Sequence, residues 1–332
     1  MTNQVSQALD RIAPYIHKTP LVSSERLNTI LGHNLIFKAE SLQKTGAFKV
    51  RGVLNHLLSL KEQNNLPPKI VAYSTGNHAI ASAYVAKLLG IEARVYLPIN
   101  TSKVKQQQAG SFGAEVIFTS SRQEAEDRSR EDGMSGFYYL HPSDSDATIL
   151  GTATLCLEAI SQSTKKIDAI FASCGGGGLL SGCYLAKEET DRDIKIIGVE
   201  PEIADDAARS RNNGKIYRFA TSPNTIADGL RTLSLSERTF NFIKKLDDFI
   251  LVGEDEIKFW TVWLMHLLKI ICEPSCGVSM AGAYQWLKKQ TKKQNIMIMI
   301  SGGNIDPDVL CDLLSSEYLL RKIEGPLSGA CE

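Results

Sequence analysis

The chain has 332 residues, too many for one ordinary hydrophobic core and about right for two closely packed lobes. Hydrophobic residues make up 43% and charged residues 22%, which excludes a disordered or fibrous chain. Lysine plus arginine equals aspartate plus glutamate at 37 each, so there is no basic field to gather nucleic acid or an anionic membrane, and a small molecule is the expected partner.

The polar stretch Met1–Asp10 lacks the basic, apolar and small-residue succession of a secretory signal, so a cytoplasmic, reducing location is expected. Asn34–Glu40 has the pattern of a strand, and the polar loop 41–47 leads into a helix with apolar Val50, Leu54, Leu57 and Leu58 at helical spacing. Lys49 falls at the start of that helix. Ile70–Tyr73 is a second strand, Ser74–Asn77 its turn, and His78–Leu89 a helix closed by Gly90. Ala93–Leu97 and Glu115–Thr119 repeat the strand signal, with Pro98 and Gly113 as punctuation. Residues 70–144 therefore read as a small α/β lobe.

Further along, Ile167–Ala172 is a strand that runs into Ser173–Gly182, and Ile194–Val199 is a strand that ends at Glu200. Phe259–Cys272 is the most apolar long stretch. His266 and Lys269 interrupt it, and it falls short of the roughly 20 residues that span a bilayer, so it reads as a buried helix. The last strand, Ile296–Ile300, enters Ser301–Asn304. Alternation of short apolar runs with helical segments makes the class α/β, and ligands in such folds sit at the carboxyl ends of strands. The seven cysteines, at 156, 174, 183, 272, 276, 311 and 331, have apolar neighbours that fit buried thiols, and Cys272 and Cys276 have no second pair at metal spacing.

Four consecutive glycines, Gly175–Gly178, between a strand and a helix let the backbone curl around an anion; on their own they fit a flexible turn equally well. No G-x-x-x-x-G-K-[ST] and no G-x-G-x-x-G opening an N-terminal strand-helix unit occurs, so a cofactor with a single phosphate fits better than a nucleotide. A lysine at a helix start is usually a solvated charge. Lys49, however, follows the apolar turn Gly46-Ala47-Phe48, which disfavours its ammonium and favours the neutral amine that attacks an aldehyde or takes a proton; Lys38 and Lys44 lack that setting.

The segment Ser41–Gly52 (SLQKTGAFKVRG) closely resembles the cofactor-lysine motif of the threonine dehydratase and serine racemase family. Ser74–His78, Gly175–Gly178 and Ser301–Asn304 match further family segments in chain order, so the resemblance runs from about His17 to about Asp306. It implies a fold-type II pyridoxal-phosphate enzyme, tryptophan synthase β-like, with two open twisted, mostly parallel sheets covered by helices. The cofactor would lie between a large domain, 1–60 and 145–332, and a small inserted one, 70–144. Lys49 would carry pyridoxal 5'-phosphate as a Schiff base, with Phe48 beside it. Asn77 would meet the phenolic oxygen, Gly175, Gly176, Gly177 and Gly178 the phosphate, and Ser301 the pyridine nitrogen. Ser74, Thr75, Gly76, Asn77 and His78 would hold the substrate carboxylate, and Ser143 would stand at the substrate side chain. Glu273 resembles a residue near the ring. Read without the resemblance, Ser74–His78 is a good turn and helix cap, and Ser301–Asn304 a strand-end turn.

A neutral serine at the pyridine nitrogen makes the ring a weaker electron sink, so carbanion character at Cα is better relieved by expelling a β-hydroxyl. The implied activity is that of an ammonia-lyase: Lys49 removes the Cα proton, the cofactor phosphate assists the leaving hydroxyl of an L-threonine- or L-serine-type substrate, and a 2-keto acid and ammonia result. Three alternatives stand beside it. The first is a serine racemase, or a 3-hydroxyaspartate enzyme, with side elimination. The second is a non-catalytic pyridoxal-phosphate-binding protein, against which intact Lys49, Asn77, glycines and Ser301 weigh. The third is an NAD oxidoreductase, disfavoured by the missing fingerprint. Glu200 and Asp206 taken alone read as solvated surface; the resemblance makes Glu200, the Ala204 carbonyl and Asp206 ligands of Mg²⁺ or Ca²⁺. Two positions depart from the family pattern: Thr75 stands where racemases place an acid–base serine, and Ser143 where they place asparagine. A homodimer without isoleucine feedback is the family expectation.

Overall fold

The structure is a computed structural model and describes residues 3–74 and 76–325. Among the described residues ten strands form two sheets: β1 Leu21–Val22, β2 Asn34–Ala39, β3 Lys69–Tyr73, β4 Glu92–Pro98, β5 Glu115–Thr119, β6 Tyr138–Tyr139, β7 Ala169–Ser173, β8 Lys195–Pro201, β9 Asp248–Val252 and β10 Asn295–Ile300. The larger sheet has the order β1-β2-β10-β7-β8-β9 and the smaller β5-β4-β3-β6, with every pairing parallel except β1 with β2. The α/β expectation of two mostly parallel sheets holds.

Strand β10 shows why the larger sheet is covered on both faces. Its Ile296, Ile298 and Ile300 pack into one cluster with Phe37, Trp260 and Leu264, whereas Met297 and Met299 enter another with Leu180 and Phe240. A strand apolar on both sides is what a central position in a parallel sheet requires. Asn34 donates through Nδ2 to Asn295 Oδ1 at 2.6 Å, at the first pair of the β2–β10 register.

Several elements differ from expectation. Strand β6 is two residues long and β1 likewise, too short to announce themselves, and β9 is a partly exposed edge. The apolar stretch expected to run helically to Cys272 forms the helix Glu254–Leu268 and stops at Lys269, whose φ of 57° is left-handed. Among the described residues no helix is long and apolar enough to cross a membrane. Five cysteines are buried; Cys311 is exposed, because its helix Pro307–Leu314 lies at the surface, and Cys331 lies outside the described residues.

The helix Lys49–Glu62 and β2 are joined by buried ions. Arg51 donates to both oxygens of Glu40 at 2.8 Å and to Glu158, and Lys38 donates to Glu158, Gln162 and the Thr19 carbonyl. Lys38, Glu40 and Arg51 have no solvent exposure. Burial works against the charge of Glu40, but Arg51 beside it holds the carboxyl below its ordinary range. Lys38 is thus as desolvated as any lysine in the chain, contrary to the sequence reading, and burial lowers its pKa; its ammonium is saturated by acceptors and unavailable for chemistry.

Glu40→Ala removes the bidentate partner of Arg51 and leaves the guanidinium only Glu158, which it shares with Lys38, in a dry interior, at a cost of about 3 kcal/mol. The melting temperature should fall well below that of the native protein, while Lys166→Ala, which removes one partner of a surface pair, should leave it unchanged.

Candidate active site

Three strands of different order in the chain deliver their carboxyl ends to one cleft. A cavity of about 360 Å³ opens there, lined by Phe48, Lys49, Ser74, Asn77, His78, Ser143, all four glycines of 175–178 and Ser301. Thr75 lies outside the described residues.

The turn before Lys49 is clamped to the segment after β10. Phe48 N–H donates to the Ser301 carbonyl at 3.0 Å, Gly303 N–H donates to the Gly46 carbonyl at 2.8 Å, and Ala47 forms an isolated bridge with Gly302. Gly46 is obligatory: its φ is +70°, and a Cβ there would stand 2.4 Å from Asn304 Oδ1. Lys49 Nζ emerges from this clamp into the cleft and donates to the Pro142 carbonyl at 3.3 Å. Burial pushes its pKa down to about 8, with the Arg122 charge adding to the fall and Glu273 opposing it. A workable fraction of neutral amine therefore exists near neutrality.

The glycine loop follows β7 and opens the helix Gly178–Glu189, whose first N–H groups have no partner within the helix. Both walls press on it. A Cβ at Gly176 would lie 2.8 Å from Ser143 Oγ, one at Gly177 2.8 Å from Thr239 Cβ, and one at Gly178 3.0 Å from Ser143 Cβ. The loop is therefore a shaped cradle at a helix N-terminus, which suits a phosphate. Ser143 packs on this cradle and lines the cleft, as do Tyr73, Arg122, Glu126, Arg130 and His141.

Asn77 begins the helix Asn77–Leu89 and donates through Nδ2 to Glu273 Oε1 at 2.9 Å and Oε2 at 3.0 Å, while Asn304 Nδ2 donates to its Oδ1 at 2.9 Å. Lys105 holds Glu273 at 3.2 Å and Asp228 at 2.7 Å. Burial raises the Glu273 pKa and Lys105 opposes the rise; burial also works against the Lys105 charge, but Asp228 and Glu273 raise its pKa above the ordinary value. The backbone at Gly76, with φ +148°, passes where a Cβ would meet Lys105 Cδ at 2.1 Å. His78 donates from Nε2 to the Leu140 carbonyl at 2.9 Å, and burial lowers its pKa to about 3, so it is neutral and brings no charge to a substrate carboxylate. Ser301 is buried at the end of β10, with its Oγ 3.7 Å from Cys276 Sγ.

Glu200 and Asp206 lie outside the cleft lining and are fully buried, so the solvated-surface reading does not apply to them. Glu200 accepts from Ala207 N–H and Ala208 N–H; both Asp206 oxygens lack a hydrogen-bond partner. Among the described residues no three His, Cys, Asp or Glu side chains converge as a metal-binding group.

The sequence profile of the family described as pyridoxal-phosphate dependent enzyme matches residues 12–302. The chain belongs to that family. It is 39% identical over 321 residues to a serine racemase of Arabidopsis thaliana, spanning 94% of this chain and 95% of that one. It is 35% identical over 325 residues to the L-threo-3-hydroxyaspartate ammonia-lyase of Saccharomyces cerevisiae, with 97% of each covered. The crystal structure of the T.th. threonine deaminase superposes with a TM-score of 0.85 at 36% identity, covering 92% of this chain and 98% of that one. The enzyme is thus a fold-type II member of the serine racemase and threonine deaminase group.

Pyridoxal phosphate fits the residues present: a Cβ-intolerant cradle at a helix N-terminus for its phosphate, and a lysine of depressed pKa for its aldehyde. The sequence reading missed Tyr73, Lys105, Arg122 and His141. Only Tyr73, at the carboxyl end of a strand, carried a positional signal.

Because the neutral amine is the form that captures the aldehyde, the rate at which the cofactor-free protein gains a visible absorption band on adding pyridoxal phosphate should rise with pH and level off above about 8. A rate that keeps climbing toward the ordinary lysine value of roughly 10.4 would contradict the depressed pKa.

Proposed function

We propose that the enzyme eliminates water from an L-hydroxy-amino acid, giving a 2-keto acid and ammonia, and that the observation carrying this reading is the single available amine in the cleft. Of the two lysines lining the cavity, Lys105 is locked between Asp228 and Glu273, while Lys49 has its pKa lowered to about 8. Bound pyridoxal phosphate supplies an electron sink that acidifies the substrate Cα–H bond. Lys49 takes that proton on one face. Expulsion of the β-hydroxyl then needs no proton on the other face, and the enamine released hydrolyses in water.

The cleft residues take the roles that the resemblance implies. Gly175–Gly178 would hold the phosphate, Ser301 would meet the pyridine nitrogen as a neutral hydroxyl, Asn77 would meet the phenolic oxygen with Phe48 beside Lys49, and the Ser74–His78 loop with Thr75 would receive the substrate carboxylate. The reading includes a homodimer in the cytoplasm and a division into lobes 1–60 with 145–332 and 70–144, the latter supported by the separate sheet of β3 to β6.

A second reading, serine racemisation, is favoured by the identity to serine racemases. It requires a proton donor on the face opposite Lys49, within hydrogen-bond reach of Cα, about 3 Å. Thr75 offers a hydroxyl whose β-branching restricts χ1, which makes that alignment harder than for serine. Native enzyme given L-serine should form pyruvate much faster than D-serine, and Thr75→Ser should raise racemisation relative to elimination. Chiral chromatography beside a coupled pyruvate assay reads both; D-serine formed as fast as pyruvate would reverse the order of the two readings.

A divalent cation at Glu200, the Ala204 carbonyl and Asp206 belongs to the same proposal. The two partnerless, buried oxygens of Asp206 support it, and Mg²⁺ or Ca²⁺ suits an all-oxygen set completed by water. Chelation should lower the melting temperature and Mg²⁺ or Ca²⁺ restore it, with no response left in Asp206→Ala. A melting curve indifferent to chelator would remove the cation from the account.

A further inference from the structure

A second cavity, of about 140 Å³, lies beside the catalytic cleft and shares Arg122 with it, but none of the glycines of 175–178 reaches it. We propose that this cavity binds a phosphate-type oxyanion, free or carried by a phosphomonoester, between Arg122 and Arg231 and against the Thr101 hydroxyl. Binding there does not depend on which reaction the cleft performs.

One side of the cavity comes from the smaller sheet. β4 ends at Pro98 and β5 at Thr119, and the turns that leave these carboxyl ends bring Thr101 and Ser121 to the lining. Carboxyl ends of parallel strands are where α/β sheets open toward ligands. Ser121 caps the helix Arg122–Met134, and that helix start, with its positive end of the helix dipole, borders the same space. The opposite side comes from the chain between the helices Asp206–Asn213 and Glu237–Ile243, through Ser222, Asp228 and Arg231.

The charge in this cavity is unbalanced. Arg122 and Arg231 are both half-buried, and among the described residues neither forms an ion pair. Arg122 lies over the Tyr73 ring at 5.4 Å and donates no hydrogen bond; Arg231 gives only its Nε–H, to the Thr225 carbonyl at 2.8 Å. Guanidinium groups cannot shed their protons, so both charges persist at any working pH. Asp228 does not offset them, because Lys105 holds its carboxylate at 2.7 Å.

The hydroxyls point to the same occupant. Thr101 is buried, and its Oγ1 has no hydrogen-bond partner, a condition that native folds rarely leave without a bound group to relieve it. Ser121 Oγ accepts from Glu124 N–H at 3.1 Å, which leaves its own proton to donate. Two guanidiniums, two hydroxyls and a helix start offer more donors than the two coplanar oxygens of a carboxylate accept, and they suit the several oxygens and higher charge of a phosphate. Ser121 and Ser222 are exposed, so the carbon portion of a phosphomonoester can remain in solvent. An occupant would also touch the catalytic cleft from outside. Arg122 lines that cleft, and Gly229, two residues before Arg231, packs with its carbonyl 3.1 Å from where a Gly175 Cβ would stand.

The test uses holoenzyme, in which the cofactor already fills the glycine cradle. Calorimetric titration with inorganic phosphate, and separately with glycerol 3-phosphate, is run beside sodium chloride at matched ionic strength. One saturable site per chain is expected, absent with chloride, together with a rise in melting temperature that saturates over the same range. Thr101→Val removes a hydroxyl that no group of the fold uses. Its melting temperature without phosphate and its visible cofactor band should therefore match those of the native protein, while phosphate binding weakens about tenfold, as loss of one hydrogen bond to a charged group implies. Arg231→Ala should weaken binding further. Tighter binding of glycerol 3-phosphate than of inorganic phosphate would name a phosphomonoester as the occupant, and equal or weaker binding the free anion. Heat that does not saturate, or that chloride reproduces, would reduce the effect to screening and overturn the inference. Saturable binding left unchanged in both variants would overturn it too, by placing the anion in the catalytic cleft instead.

Discussion

The site depends on the clamp that fixes the Gly46–Phe48 turn against Ser301–Gly303. Two backbone hydrogen bonds and a bridge tie the start of the helix Lys49–Glu62 to the end of β10, the central strand of the larger sheet. A lysine side chain has four rotatable carbons and a strong preference for water. Holding its amine in a cleft that lowers its pKa requires a backbone that cannot relax, and both ends of this one are immobilised. Two residues further on, Arg51 drives its guanidinium between Glu40 and Glu158, so the helix is pinned to the residue that follows β2 and to the helix Asp146–Gln162 by buried ions. Such buried pairs add little net stability relative to an apolar core. In this enzyme they link the helix that carries Lys49 to two neighbouring elements in one geometry.

The cleft is electrostatically divided. On one side, Lys105, Asp228, Glu273 and Asn77 form a continuous chain of ion pairs and hydrogen bonds that spans both sheets' neighbourhoods, from the helix Lys103–Ser111 to the start of the helix Pro274–Leu287. On the other, Tyr73, Tyr139, His141, Arg122 and Arg130 form an aromatic wall studded with guanidinium groups. Lys49 stands between them, touched by the Arg122 charge from one side and the Glu273 charge from the other. Membership of the serine racemase and threonine deaminase group establishes the cofactor chemistry common to that group.

Local chemistry was legible in the sequence where a residue's role follows from its chain neighbours. Gly175–Gly178 announced a backbone that needs no Cβ, and the walls that press on it are the reason. The apolar turn before Lys49 announced a desolvated amine, and the short apolar run Ile296–Ile300 a strand. What was not legible depends on partners far away in the chain. Lys38 looks like any lysine in a strand until Glu158 and Gln162, over a hundred residues on, are brought beside it. Tyr73 gains meaning only through His141, and Lys105 through Asp228 and Glu273. The two-residue strand β6 carries no periodicity, since it needs β3 to define it. Burial of Glu200 and Asp206 was likewise invisible, because six residues of spacing say nothing about what covers them.

The central claim is that Lys49, and no other lysine, holds the cofactor. Reduction of the holoenzyme with borohydride, followed by digestion and mass spectrometry of the peptides, measures this directly, because it makes the bond between protein and cofactor permanent. The account predicts the pyridoxyl mass on Lys49 alone. The same mass on Lys105 or Lys38, with Lys49 unmodified, would contradict it.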